Sequence, residues 1–301
     1  MVYNKTHICI VVRVKYKSHC HLIVPLRVLC QRYNLTRDSS LKKHKKLAVI
    51  WPDMSHDMSQ NIYDEREFFE SYIQLDRQRK GLNSTPEWPQ LRAMLPDLKG
   101  ARVLDLGCGL GWFSRFARAE GVASVRAIDL SANMLDKARS MTSDDDITYE
   151  EADLEDLTLP ETTYNVVFSS LAFHYLTNLS QLVAEISKSL KCGGRLVFSV
   201  EHPLFTAPTS PSLLVNHRTH QMFWQVDAYQ QEGVRMRDWL VEDVRKQHRT
   251  MASYINMLLD SGFRLTNFVE WCPSAEELAS NPHWDIELVR PTFLLMGAVR
   301  E

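Results

Sequence analysis

The 301-residue chain has no run of eighteen apolar residues, no Cys-x-x-Cys pair and no glycine before Gly81. The first absence excludes a transmembrane helix. The early apolar stretches Ile8–Val12 and Leu22–Leu26 are too short for a secretion signal, and their flanking bases lie on the wrong side. Secretion is therefore not expected, and tripeptides such as Asn34-Leu35-Thr36 carry no glycan meaning. Without paired spacing, the six cysteines (Cys9, Cys20, Cys30, Cys108, Cys192, Cys272) read as reduced thiols. Early His and Cys residues such as His7, Cys9 and His19 match no zinc pattern, so no metal site is expected. Acid is scarce in one place only: residues 1–50 hold eleven bases and a single acid, Asp38. The net charge of −2 thus averages a head of +10 with a remainder of −12.

Residues 1–53 show no sustained period. They read as a basic extension, disordered or non-native, with Met54 and Met58 as alternative starts and a mitochondrial transit peptide as the rival explanation. Residues 54–301 read as one acidic domain, which argues against duplex nucleic acid as the main ligand and points to the cytoplasm. Nothing in the pattern bears on oligomeric state.

From Asn61 the pattern becomes regular. Ile62–Lys80 and Trp88–Leu95 read as amphipathic helices on either side of a turn at Gly81–Pro86. Short apolar strands at Arg102–Leu106, Ser124–Asp129, Ile147–Glu151, Tyr164–Ser169 and Arg195–Val200 alternate with helices at Gly111–Glu120, from Ser131, and at Leu179–Leu190. After an aperiodic stretch at 203–248, a helix Met251–Ser261, a strand Arg264–Trp271, a short helix Ala275–Ala279 and a strand Thr292–Val299 follow. Such alternation predicts an α/β fold with a doubly wound, mostly parallel sheet of seven strands, an N-terminal helical segment, and an insertion after strand 5 that caps a site.

The run Val103-Leu104-Asp105-Leu106-Gly107-Cys108-Gly109-Leu110-Gly111 puts a glycine turn between strand and helix, at the sheet edge where such folds bind ligands. A dinucleotide fingerprint wants its third glycine one place later, where Trp112 stands, and the phosphate-loop pattern is absent. Asp129 ends the next strand, where a carboxylate can accept both ribose hydroxyls. Here the sequence resembles the class I S-adenosylmethionine (SAM)-dependent methyltransferases, in the small-molecule branch of type 11 and ubiquinone-biosynthesis-like domains. That resemblance implies SAM as cofactor, with Gly107, Cys108, Gly109 and Gly111 lining it. It implies that Asp105 faces the methionine amino group, that Asp129 and Leu130 meet the ribose, and that Met134 packs on the adenine. Ala152-Asp153-Leu154 would read the adenine edge, and Ser169 would end the fourth strand beside the amino group. Asn165 departs from the family's usual Asp, at a position remote from the methyl group.

Methyl transfer from a sulfonium is an in-line displacement, so the protein must align the acceptor and exclude water. A hydroxyl acceptor also needs its proton removed, a role that suits histidine. His174, His202 and His248 lie after strand 4, after strand 5 and at the insertion's end, and are the expected bases. Phe205, Phe223, Trp224, Tyr229 and Trp239 would wall a flat acceptor, giving O-methylation of a small aromatic molecule. The alternatives are N- or C-methylation of a small metabolite, or a repurposed SAM-binding protein. An Asn/Asp-Pro-Pro-aromatic motif for nucleic-acid amines is missing at Ser169-Ser170-Leu171-Ala172, as are the paired glutamates of arginine methyltransferases.

Overall fold

The computed structural model describes residues 59–301. The expectations for residues 1–53 and for starts at Met54 and Met58 lie outside the described residues. The first expected helix, Ile62–Lys80, is broken into a 3-10 turn at Ile62–Asp64 and helices α1 (Arg66–Tyr72) and α2 (Asp76–Arg79). Glu65 and Leu75 take extended backbone at the two breaks. The breaks free Asp64 to bond elsewhere and let Phe68 bury, contacts that outweigh the local helical period. Helix α3 (Trp88–Met94) follows.

The core alternates as expected: β1 (Arg102–Leu106), α4 (Trp112–Ala119), β2 (Ser124–Asp129), α5 (Ala132–Ser140), β3 (Ile147–Glu151), β4 (Tyr164–Ser170), α6 (Leu179–Ser189) and β5 (Leu190–Glu201). Helix α7 (Pro203–Thr206) opens the insertion, which is two hairpins: β6 (Leu213–Val215) with β7 (Met222–Trp224), and β8 (Gly233–Trp239) with β9 (Val241–His248). Helix α8 (Met251–Asp260), β10 (Phe263–Glu270), α9 (Ala275–Ser280) and β11 (Phe293–Arg300) complete the chain.

Seven strands form one sheet in the order β10-β11-β5-β4-β1-β2-β3, with β11 antiparallel to both neighbours and the β5-to-β3 pairs parallel. Strand periodicity of two sends alternate residues to opposite faces. Val103, Val166, Phe168 and Val197 pack with Trp88 of α3 and Phe113 of α4, where the Phe113 and Phe168 rings stack at 3.7 Å. Leu104, Val167, Leu196 and Phe198 pack with Leu182 of α6 and Leu258 of α8. Both faces are therefore covered, as parallel sheets require. No helix among the described residues is long and apolar enough to cross a membrane.

Asn165 sits at the far end of β4, where its side-chain oxygen accepts from the Arg102 backbone N–H (3.0 Å) and from Lys191 (3.2 Å). Its departure from the usual Asp is thus a strand-anchoring matter. Trp112, which displaces the dinucleotide fingerprint, donates its indole N–H to the Gln78 carbonyl at 3.1 Å and lies against Gly81. The bulky residue ties the N-terminal segment to the start of α4.

Candidate active site

The β1–α4 turn and the end of β2 form the first half of the site. Gly107 and Gly109 both take left-handed backbone, with φ of 70° and 52°. A Cβ on Gly107 would collide with Ala172, and one on Gly109 would stand 3.2 Å from the Met134 methyl. Glycine is therefore needed for conformation and for close approach alike. The Asp129 carboxylate accepts from the Gly109 N–H at 2.8 Å and the Ser131 N–H at 3.0 Å. These two bonds aim it at the turn, while burial raises its pKa. Asp105 is almost fully buried on β1 and accepts from the Ser114 hydroxyl of α4 at 2.6 Å. Burial pushes its pKa up to about 7, with the Asp129 charge adding to the effect and Ser114 opposing it.

The other expected cofactor residues cluster around this turn. Met134 is buried on α5, whose N-cap Ser131 accepts from the Met134 N–H. The Ala152 N–H donates to the Asp129 carbonyl at 3.1 Å, which sets Ala152-Asp153-Leu154 beside the end of β2. One oxygen of Asp153 accepts from the Glu155 N–H. Leu130 offers its carbonyl to Asn61, and Cys108 lies half-buried within the turn. Gly111 precedes α4 as its N-cap residue. Ser169 is fully buried and donates its hydroxyl to the Leu106 carbonyl at 2.8 Å, so its side chain serves the sheet.

Sequence reasoning missed Asn61 and Asp64. Asp64 accepts from the Ser131 hydroxyl (2.5 Å) and the Asn133 N–H (3.0 Å), capping α5 beside Asp129. Burial would raise its pKa, but these hydrogen bonds outweigh it and lower the value. The signal that could have found it is an acid without a local helix to cap.

The three histidines expected on the acceptor side are buried. His202 is fully buried; its Nδ1 accepts from the Leu204 N–H at 3.0 Å and its Nε2 faces Glu270 at 2.9 Å. His248, also fully buried, has Nδ1 against the Thr206 hydroxyl (2.8 Å) and Nε2 against the Tyr229 carbonyl (2.9 Å). A carbonyl can only accept, so His248 Nε2 carries the hydrogen and Nδ1 accepts from Thr206. Both ring nitrogens of each residue thus have partners within the fold, and His202 is the N-cap of α7. His174 Nδ1 accepts from the Glu201 N–H at 3.3 Å, which puts the hydrogen on Nε2 in the neutral ring. In that tautomer His174 presents a donor at Nε2. Burial lowers the pKa of all three, most strongly at His174, where Lys246, Arg249 and Arg77 add to it.

Four half-buried aromatics meet at this edge. Tyr63 contacts Tyr72 (5.0 Å) and Tyr175 (6.1 Å) edge-on, and Tyr72 contacts Trp239 at 5.9 Å. The Tyr63 and Tyr175 hydroxyls are 3.1 Å apart. Burial raises the pKa of Tyr63 and Tyr72. Tyr63 lies between Asn61 and Asp64, which bond Leu130 and Ser131, so this end of the wall lies near the end of β2. Of the expected wall, only Trp239 belongs here. Phe205 and Trp224 instead stack 6.3 Å apart with Arg290 against both rings, Tyr229 packs on His248, and Phe223 is exposed. Lys246 of β9 forms a buried ion pair with Glu201 at the end of β5, its ammonium 4.9 Å from the Trp239 ring. No group of three or more metal-ligating side chains occurs among the described residues.

A glycine turn and an aimed carboxylate at the carboxyl edge of a seven-stranded sheet define a site for a nucleoside-bearing ligand. Residues 104–198 match a family described as a methyltransferase domain. A crystal structure of a SAM-dependent methyltransferase from Mesorhizobium loti is 43% identical, with a TM-score of 0.71 over 73% of this chain and 100% of that one. An uncharacterized protein of Haemophilus influenzae is 33% identical over 79% of this chain and 96% of its own length. A malonyl-[acyl-carrier protein] O-methyltransferase of Enterobacter lignolyticus is 41% identical over 36% of this chain, which spans 42% of that enzyme. The chain belongs to the SAM-dependent methyltransferases. It is an enzyme whose cofactor is SAM, and the donor set fits: an aimed carboxylate for hydroxyls, a buried acid for a cation, and a turn whose three glycines leave room for close approach.

Proposed function

We propose that the chain methylates a hydroxyl oxygen of a small aromatic molecule lying between the glycine turn and the β8–β9 hairpin. In this reading Asp129 holds the ribose hydroxyls and Asp105 the methionine ammonium, with Gly107 and Gly109 against the ligand backbone. Met134 and Leu154 flank the adenine, and the free oxygen of Asp153 takes its exocyclic amine. Bound SAM supplies an electrophilic methyl carbon. The chain's own residues orient the acceptor and exclude water.

The observation that carries the proposal is the cluster of half-buried rings Tyr63, Tyr72, Tyr175 and Trp239, in edge-to-face contact with one another. Aromatic rings in edge-to-face contact offer π faces and apolar area to a flat acceptor. The Tyr175 hydroxyl, which accepts from Tyr63, and the His174 Nε2–H remain as donors for an acceptor. A second reading, methylation of a carboxylate on an acyl thioester, is favoured by the partial likeness to the malonyl-[acyl-carrier protein] enzyme.

Incubation with SAM and a panel of phenols, indoles, amines, carboxylic acids and acyl thioesters tests the choice, with S-adenosylhomocysteine and methylated product read by mass spectrometry. Methylated phenols are expected. Products from acids or amines alone overturn the proposal, and cofactor binding without product across the panel favours a repurposed SAM-binding protein.

A further inference from the structure

With all three histidines presenting donors or spent on the fold, the acceptor proton needs another destination. Among the described residues, Glu201 has the one feature the histidines lack at this edge. It ends β5, one residue before His202, and its side chain is 12% exposed. One carboxylate oxygen, Oε1, is paired with Lys246. The other, Oε2, is buried without any hydrogen-bond partner. A buried carboxylate oxygen left unpartnered is costly and rare, and asks for a ligand or a proton donor to complete it.

The surroundings place that oxygen on the acceptor side. Its own backbone N–H holds His174. The Lys246 ammonium lies over the Trp239 ring at 4.9 Å and the Tyr175 ring at 5.8 Å, two members of the aromatic wall. Lys246, the donor paired with Oε1, thus sets the Glu201 carboxylate beside the Trp239 and Tyr175 rings.

We propose that Glu201, through Oε2, receives the proton of the acceptor hydroxyl, and that Lys246 is the residue that positions it. The inference rests on the hydroxyl reading above. As the acceptor oxygen takes the methyl group, a C–O bond forms and the S–CH3 bond breaks with its electron pair left on sulfur. The O–H bond breaks in the same event, its pair stays on oxygen, and the proton passes to Oε2. A methylated hydroxyl that still bears its proton is a very strong acid, so a carboxylate is basic enough to take it late in the reaction. The same carboxylate selects for acceptors that bring a hydrogen to share and against those that arrive as anions.

The decisive experiment compares wild type with Glu201→Gln on phenols of graded acidity, from a plain phenol to a nitrophenol already ionised at the assay pH. For the plain phenol, kcat is expected to fall by about 100-fold or more. For the ionised nitrophenol, which has no proton to lose, kcat is expected to hold within about 3-fold, and KM to fall because the opposing carboxylate is gone. Glu201→Asp is expected to restore part of the plain-phenol rate. Lys246→Met is expected to raise KM and lower kcat for every phenol, with the Glu201 carboxylate no longer held in one orientation. Two readouts stand apart from turnover. The thermal shift caused by S-adenosylhomocysteine should be kept in Glu201→Gln, which establishes fold and cofactor site. The absorbance titration of nitrophenol bound beside S-adenosylhomocysteine should ionise at lower pH in Glu201→Gln than in wild type. An equal loss across the phenol series, or an unshifted titration, overturns the role of Glu201 and leaves the hydroxyl reading standing. Wild-type turnover of carboxylic acids alone, or of no panel member, overturns the hydroxyl reading and the inference with it.

Discussion

The glycine turn draws its residues from a continuous alternation of strands and helices, whereas the proposed acceptor wall borrows from segments far apart in the chain. Asp105, Gly109 and Asp129 follow one another along β1, its turn and β2, and the carboxylate of Asp129 reaches back only 20 residues to Gly109. Tyr63 meets Tyr175 across 112 residues, and Glu201 meets Lys246 across a whole insertion. The first region is fixed by sheet register and backbone hydrogen bonds, so most substitutions there disturb the fold and the cofactor together. The second is fixed by side chains on pieces that can be exchanged with less effect on the sheet. That division lets one scaffold keep its cofactor while the acceptor changes.

The largest effect that would break this division is expected at Asp129. Asp129→Ala removes the partner of two backbone N–H groups and the proposed ribose ligand, and should weaken SAM binding by about 100-fold, as calorimetry would read. Binding within about 3-fold of wild type would mean that the continuous region is not the cofactor region.

The next effect, about 10-fold between pH 8 and pH 6, belongs to Asp105. Its carboxyl is pushed up from 3.8 to about 7. Only the carboxylate attracts a cationic ammonium, so SAM affinity should fall as pH drops through about 7. Stability of the ligand-free protein runs the other way. A raised carboxyl pKa contributes stability that is full below 3.8 and lost as pH rises toward about 7. Asp105→Asn should therefore flatten the affinity profile and raise the ligand-free melting temperature at pH 8. A pH-independent affinity in wild type would remove Asp105 from the proposed ammonium contact.

This contrast also explains what could be read in advance. The central strands and the turn were legible because a parallel strand covered on both faces reads as a short apolar run, and the β1–α4 turn is marked by glycines. The insertion was illegible because β8 is inverted. Val234 and Met236 face outward at 50% and 48% exposure, while Arg235 and Arg237 turn inward and donate to the carbonyls of Ala207, Thr206 and Pro208. A pattern rule that expects apolar residues inside reads such a strand as aperiodic. The histidine contacts were illegible for a related reason. Residue type and strand-end position mark His202 and His248 as chemical, but only the hydrogen bonds to Leu204, Glu270, Thr206 and Tyr229 show them holding the insertion's ends. Glu201, the neighbour of His202, attracted no attention because a charged residue at a strand end is usually solvated.

The histidines then supply a test of intermediate size. His202→Ala removes the α7 cap and the partner of Glu270, and should lower stability by about 2 kcal/mol with kcat per folded molecule within about 3-fold. His248→Ala should behave alike. A large loss of kcat at unchanged stability in either variant would return that histidine to the chemistry.

The smallest expected effect is the finest probe of the division. Tyr63→Phe deletes a hydroxyl that bonds Tyr175 but keeps the ring in the wall, and should change kcat/KM for an aromatic acceptor by about 3-fold. Tyr63→Ala opens the wall and should cost about 10-fold, mostly in acceptor KM. Neither should move SAM affinity by more than about 2-fold, because the Tyr63 hydroxyl bonds Tyr175 and not the turn or Asp129. Its neighbour Asp64 is different: it caps α5 beside Asp129, so Asp64→Ala should weaken SAM binding although it lies one residue away. Two adjacent residues with opposite signatures, one in acceptor KM and one in cofactor affinity, would place the boundary between the two regions within the peptide bond that joins them.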